Sequence, residues 1–103
     1  MSGAAQAAEL MGRLGLNEAE LCTILDADPI EIVSGALEHR PELGILLEMT
    51  AEVEAQVAPG VLPRWVRTAG PGGRPLELLL ARDFEGFEAA LETLARRGFV
   101  IGG

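Results

Sequence analysis

The chain has 103 residues, a length that indicates one domain with a modest core and no need for stabilising disulfides or metals. Its single cysteine, Cys22, excludes an internal disulfide framework and a cysteine zinc site, and it favours a reducing compartment, so we expect a cytoplasmic protein. The first residues show no signal-peptide pattern, and no apolar run is long enough to span a bilayer. We therefore expect no membrane association.

Charge is distributed unevenly along the chain. Residues 1–58 carry eleven carboxylates and two arginines, a formal charge of −9, whereas residues 59–103 carry five carboxylates and six arginines, a formal charge of +1. Lysine is absent from the sequence. The acidic first half repels the phosphate backbone of nucleic acids, and the second half does not.

The beginning of the chain predicts two short helices. Residues 4–14 are rich in alanine and carry leucines at helical spacing, and Gly15 follows as a stop. Asn17, with Glu20 three residues later, forms the capping-box pattern of a second helix. These signals are local, and they predict where each helix begins and ends.

A third helix begins in a similar way. Asp28 occupies the cap position, Pro29 the first helical position, and Glu31 follows three residues after the cap. Two short capped helices joined by a tight turn, with one helix before them, indicate a helix-turn-helix unit. Another kind of three-helix bundle fits the same spacing. The residues that we expect to face inward in this helix are Ile30, Val33 and Leu37.

Pro41 begins the longest predicted helix, roughly residues 42–58, which Pro59 and Gly60 terminate. Its apolar positions form one stripe, and we expect it to connect two subdomains. The predicted division is a helix-turn-helix-like bundle with its connecting helix in residues 1–58, and a second helical subdomain with an apolar tail in residues 59–103.

The second half contains the only tryptophan, Trp65, and all three phenylalanines. A single turn of helix around Trp65 leads into a glycine-rich bend, Pro75 begins a short apolar helix, and Asp83 caps a last helix over residues 84–97. Strand signals are almost absent, so the predicted fold class is all-α, with five to seven helices. The residues expected to be buried are Leu21, Ile24, Val33, Leu46, Val53, Trp65, Leu79, Phe87 and Leu91.

The second half also carries an ordered set of motifs: a tryptophan, a glycine pair, Pro-Leu-x-Leu-Leu, a short break, an amphipathic helix and a Gly-Phe ending. In this sequence they are Trp65, Gly72–Gly73, Pro75–Leu79, Arg82–Gly86, Leu91–Leu94 and Gly98–Phe99. The set spans about 40 residues. It resembles the toxin-binding domain of bacterial antitoxins of the Xre/MbcA/ParS type.

The resemblance implies a helical protein whose C-terminal half binds and neutralises a cognate toxin, commonly a RES-domain enzyme that consumes NAD. It also implies a helix-turn-helix unit ahead of that half, and we expect a homodimer or a hetero-oligomer. The alternative is a transcriptional regulator that binds its own operator through the N-terminal helices, alone or in a toxin complex. The candidate toxin-binding residues are Arg64, Arg67, Arg74, Arg96, Arg97, Phe99, Val100 and Ile101.

These candidates are arginines and apolar tail residues. Arg64 and Arg67 flank Trp65 near the surface, where arginine favours interfaces. The apolar tail, residues 99–103, follows a helix stop. It fits two interpretations: a strap that packs back on its own domain, or a plug that enters a partner's cleft, as the resemblance implies.

Residues typical of catalysis are sparse. The one histidine, His39, and the one cysteine, Cys22, have no evident third group that would complete a catalytic triad. The glycine-rich loop at residues 70–73 lacks the Gly-Lys-Ser/Thr that follows in phosphate-binding loops. We expect no enzymatic activity, no cofactor and no metal site.

The first prediction concerns DNA. Residues 8–40, which hold the candidate recognition helix, carry seven carboxylates and two arginines, a formal charge of −5. Each carboxylate that faces a phosphate opposes binding, so we expect the protein alone to show no salt-dependent affinity for its own promoter. Fluorescence anisotropy at low salt checks this, and a sub-micromolar Kd would contradict it.

Overall fold

The computed structural model describes residues 3–34, 40–70 and 73–97, apart from the side chains of Ala4 and Val33. These ranges form an all-α fold without strands, as predicted. No helix in them is both long and apolar enough to cross a membrane. The helices are α1 (Gly3–Leu14), α2 (Glu18–Leu25), α3 (Pro29–Ser34), α4 (Pro41–Gln56), α5 (Val61–Arg67), α6 (Pro75–Leu80) and α7 (Phe84–Arg97).

Two side-chain caps predicted from the sequence are present. In the capping box of α2, the Glu20 N–H donates to Asn17 Oδ1 at 2.8 Å, and the Asn17 N–H donates to Glu20 Oε1 at 2.9 Å. At the start of α7, Asp83 Oδ1 accepts from the N–H of Gly86 at 3.0 Å. Each cap satisfies backbone donors that have no partner inside the helix. The starts of these helices are therefore encoded locally.

The longest helix, α4, ends two residues earlier than predicted, at Gln56. Val57 is extended, with φ −107° and ψ 160°. Pro59 accounts for this early end, because a proline disfavours the helical conformation of the residue before it, Ala58. By contrast, α5 has seven residues and is longer than the single turn predicted around Trp65.

One core joins elements from both halves of the sequence, from Ala7 in α1 to Leu94 in α7. Helix α1 packs against α4 and α5, and α7 packs against α4 and α6. This core is continuous across residue 58, the predicted boundary between two subdomains. The division into two subdomains stays a prediction. The core residues expected from the sequence and found buried are Leu21, Ile24, Leu46, Val53, Trp65, Leu79, Phe87 and Leu91.

The inward face of α3 differs from the prediction. Ile30 is 78% exposed, whereas Ile32 is buried at 6% exposure. The described helix has only six residues, fewer than two turns, so its apolar spacing does not fix which side faces the core. Packing against α1 and α2 selects Ile32 instead. The predicted inward side chains of Val33 and Leu37 lie outside the described part of the chain.

Trp65 and Phe87 link α5 to α7 inside this core. Their ring centroids lie 5.7 Å apart with an interplanar angle of 50°, a tilted arrangement that aromatic pairs favour. Trp65 is 8% exposed and Phe87 is fully buried. The sequence predicts that Trp65 is buried, and its low exposure confirms this prediction.

The second prediction tests this burial. Trp65→Ala removes a large buried side chain, and we expect it to lower the free energy of unfolding by about 3–5 kcal/mol. Urea unfolding followed by circular dichroism measures the change. The neighbouring surface variant Arg64→Ala is the control and should stay within about 0.5 kcal/mol of the wild type. Near-wild-type stability of the tryptophan variant would show that Trp65 contributes little to the core.

Candidate partner-binding surface

The eight arginines divide into two groups according to their partners. Arg64 and Arg97 are exposed, and neither forms an ion pair with a carboxylate of residues 3–34, 40–70 or 73–97. The other six are paired, as follows: Arg13 with Glu9 and Glu54, Arg40 with Glu31, Arg67 with Glu20, Arg74 with Glu77, Arg82 with Asp26 and Glu42, and Arg96 with Glu92.

Arg67 joins α5 to the turn between α1 and α2. Its guanidinium donates to both carboxylate oxygens of Glu20, at 2.7 and 3.1 Å, and to the carbonyl of Gly15 at 2.7 Å. This forked, charge-assisted contact is a strong hydrogen-bond geometry. It lowers the pKa of Glu20 below its ordinary value and raises that of Arg67. Arg67, a candidate toxin-binding residue, thus has intramolecular partners in this structure.

Gly15 contributes the geometry of the same junction. Its φ is +65°, and a Cβ added there would lie 2.9 Å from Cβ of Pro63 in α5. A side chain at this position would therefore meet both left-handed backbone strain and a steric clash. Because residue 15 is a glycine, the end of α1 can approach α5 closely. The Gly15 carbonyl then accepts a hydrogen bond from Arg67.

Arg74 and Arg96 form weak, exposed pairs. Arg74 lies 3.5 Å from Glu77, and Arg96 lies 3.7 Å from Glu92, where the two side chains are 76% and 62% exposed. Solvent-exposed pairs of this kind contribute little to stability. Both guanidiniums can consequently exchange these carboxylates for groups on a partner at small cost.

Arg64 and Arg97 present their guanidiniums outward. Arg64 lies in α5 beside the buried Trp65, so that the helix holds it on the side away from the core. Arg97 ends α7, where a positive charge complements the negative end of the helix dipole. The tail candidates Phe99, Val100 and Ile101 lie outside the described residues.

The two arginines of residues 1–58, Arg13 and Arg40, form ion pairs with carboxylates. The Arg13 side chain is only 9% exposed, and its guanidinium donates to the Leu47 carbonyl at 2.7 Å. Its Nε lies 3.3 Å from a Glu54 oxygen but lacks a hydrogen bond of good geometry. Arg40 forms a forked pair with Glu31 and lowers the pKa of that carboxyl. Both arginines thus have carboxylate partners within this chain.

Cys22 packs partly buried against the core, and burial raises the pKa of its thiol. A raised thiol pKa disfavours the reactive thiolate. Among the described residues, no group of three or more histidine, cysteine or acidic side chains is placed to hold a metal ion. His39 lies outside the described residues.

A cleft between α4 and α7 was not identified from the sequence. Its volume is about 480 Å³. The sequence does show two pairs of glutamates at helical spacing, but it does not show that α4 and α7 pack side by side. The cleft is lined by Glu48, Met49, Glu52, Val53, Gln56, Glu88, Leu91, Glu92, Ala95 and Arg96.

Comparisons with protein families, with curated proteins and with solved structures found no match to this chain. The resemblance to antitoxins stays a prediction, as does the helix-turn-helix interpretation of residues 1–58. Function must therefore be argued from the surface residues and their charges.

The third prediction follows from the lowered pKa of Glu20. A carboxyl whose pKa is lower in the folded than in the unfolded state stabilises the fold above the unfolded value of 4.5, and this stability is lost as pH falls through the folded pKa. Glu20→Gln keeps a side chain that suits the capping box but removes the charge facing Arg67. We therefore expect the variant to lose less thermal stability than the wild type between about pH 6 and pH 3.

Thermal melts followed by circular dichroism across this range measure the difference. Glu85→Gln, which changes an exposed glutamate in the first turn of α7, is the matched control and should follow the wild-type pH dependence. Parallel curves for wild type and Glu20→Gln would contradict the stabilising role of the Glu20–Arg67 pair.

Proposed function

We propose that this chain is an antitoxin-like binding protein that neutralises a cognate toxin through its C-terminal half. The observation that carries the proposal is that Arg64 and Arg97 remain exposed and unpaired among the described residues of a chain with twice as many carboxylates as arginines. The sequence resemblance names the partner class, a RES-domain enzyme that consumes NAD.

The charge distribution supports this choice of surface. An exposed guanidinium offers several donors in a planar fork, and it suits carboxylates or other anionic groups on a partner. Arg96 adds a third cation next to Arg97, and its weak pair with Glu92 costs little to exchange. The end of α7 therefore offers a basic edge in a protein whose net charge is −8.

The residues that follow the basic end of α7 are apolar, which supports the proposal that a partner covers them. Phe99, Val100 and Ile101 are three large apolar side chains directly after Gly98. Burying a larger apolar side chain stabilises by about 1.5–3 kcal/mol relative to leaving it in water. In the proposed complex, the tail enters the toxin's cleft, and the arginines contact acidic groups at the entrance to that cleft.

The alternative, a regulator that binds its operator without a partner, has less support. Arg13 is buried and Arg40 is paired with Glu31, so the N-terminal helices have no free arginine among their described residues for phosphate contacts. The first turn of α3 also carries a carboxylate, Glu31, which opposes phosphate contacts. Under the proposal, any promoter binding requires basic surface from the toxin.

The fourth prediction tests the tail. Deleting residues 99–103 should leave the melting temperature almost unchanged and should weaken inhibition of the toxin at least about tenfold, because the plug is lost while the core is retained. The toxin to assay is the product of the adjacent reading frame, through growth rescue on co-expression and NAD consumption in vitro. A deletion variant that melts substantially lower yet still inhibits would identify the tail as an internal strap.

The arginines are tested separately. Arg64→Gln combined with Arg97→Gln should reduce affinity for the same toxin at least about tenfold in isothermal titration calorimetry, through the loss of two charge-assisted contacts. The control, Ala8→Glu with Ala19→Glu, makes the net charge more negative by the same amount at exposed positions of α1 and α2. Equal affinity of the two double variants would contradict the arginine contacts.

A further inference from the structure

The cleft between α4 and α7 combines an apolar floor with an acidic rim. Val53 and Leu91 are buried and Met49 is partly buried, so the floor is formed by apolar side chains that belong to or contact the core. The rim is formed by exposed carboxylates, two on each helix. These are Glu48 and Glu52 on α4, and Glu88 and Glu92 on α7.

The rim carries more negative charge than its surroundings neutralise. Within the described residues, Glu48, Glu52 and Glu88 form no ion pair, and Glu92 has only Arg96 at 3.7 Å. On each helix the two glutamates are four residues apart, a spacing at which like charges repel. The free protein therefore keeps mutually repelling carboxylates at the rim of a cleft whose floor is apolar.

We propose that this cleft binds an amphipathic helix of a partner protein that carries arginine or lysine on both sides of an apolar stripe. Such a helix would place apolar side chains on the floor and cations against both glutamate pairs, which is the usual mode of helix-in-groove recognition. The lining of α4 runs from Glu48 to Gln56, a rise of about 12 Å. This length matches about two turns of a docked helix.

Charge complementarity favours this occupant over others. The phosphates of a nucleic acid or an anionic lipid surface would be repelled by the rim. A second copy of the chain has the same net charge of −8, and most of its arginines are already paired. A cationic helix relieves the repulsion between carboxylates and also covers the apolar floor.

The inference goes beyond the proposed function, because it assigns a second binding surface and needs neither Arg64 nor the tail. The two proposals can fail separately. Loss of toxin inhibition on deleting residues 99–103 tests the first, and binding of a cationic peptide in the cleft tests the second.

The test uses the full chain and a fluorescent peptide of about 18 residues with leucines at helical spacing flanked by arginines. Anisotropy should show a Kd below about 100 μM that weakens as salt is raised. A second peptide of the same composition, scrambled so that it has no apolar face, should bind at least about tenfold more weakly. Equal binding of both peptides, or no binding of the first, would overturn the proposal.

The site is located with matched variants of the protein. Glu52→Gln with Glu88→Gln removes two rim charges and should weaken binding of the first peptide at least about tenfold. Glu18→Gln with Glu85→Gln removes two exposed charges outside the cleft and should change Kd less than about twofold. All four side chains are exposed, and circular dichroism melts check that each variant is folded. An equal loss of peptide affinity in both double variants would mean non-specific electrostatic attraction and would overturn the proposal.

Three further measurements test the cleft and distinguish other occupants. Ala95→Arg places a long cation in the cleft and should abolish peptide binding without a change in helix content. Peptide binding that appears only after residues 99–103 are deleted would identify this chain's own tail as the occupant. Self-association in analytical ultracentrifugation that Glu52→Gln with Glu88→Gln abolishes would identify a second copy. Either result would overturn the proposal of a partner helix.

Discussion

The shared core around Trp65 and Phe87 holds the fold together. Helices α3, α5 and α6 have only six or seven residues, and isolated helices shorter than about 12–15 residues are marginal in water. Each must therefore gain its stability from burial against its neighbours. Trp65 gives α5 such a contact with α7, and α5 in turn packs on α1 and α6. Loss of this core would therefore unfold the short helices as well as the longer ones.

Ion pairs add connections over the same core and leave particular cations free. Arg67 ties α5 to the turn after α1, Arg13 joins α1 to α4, and Arg82 lies near carboxylates of Asp26 and Glu42. Each of these arginines has at least one carboxylate of this chain as its partner. Among the described residues, Arg64 and Arg97 have no carboxylate partner, while the rim of the cleft between α4 and α7 carries four glutamates.

Local sequence signals predicted much of the fold because they act within a few residues. The capping box at Asn17, the cap at Asp83 and the prolines that begin α3, α4 and α6 mark helix starts through backbone donors nearby. Apolar spacing in longer helices such as α4 and α7 predicted their buried faces, because several turns define one side. Helical spacing around Trp65 in α5 likewise predicted that Arg64 lies near the surface.

Contacts between distant residues required the tertiary structure. Arg67 is separated from Glu20 by 47 residues, so its exposed position in α5 gave no sign that its donors are occupied. Ile30 is exposed because packing, rather than the short apolar pattern of α3, orients that helix. The acidic cleft exists only because α4 and α7 lie side by side. Local chemistry encoded the helices and most of their buried faces, whereas tertiary packing decided which described charges are paired and where the acidic cleft forms.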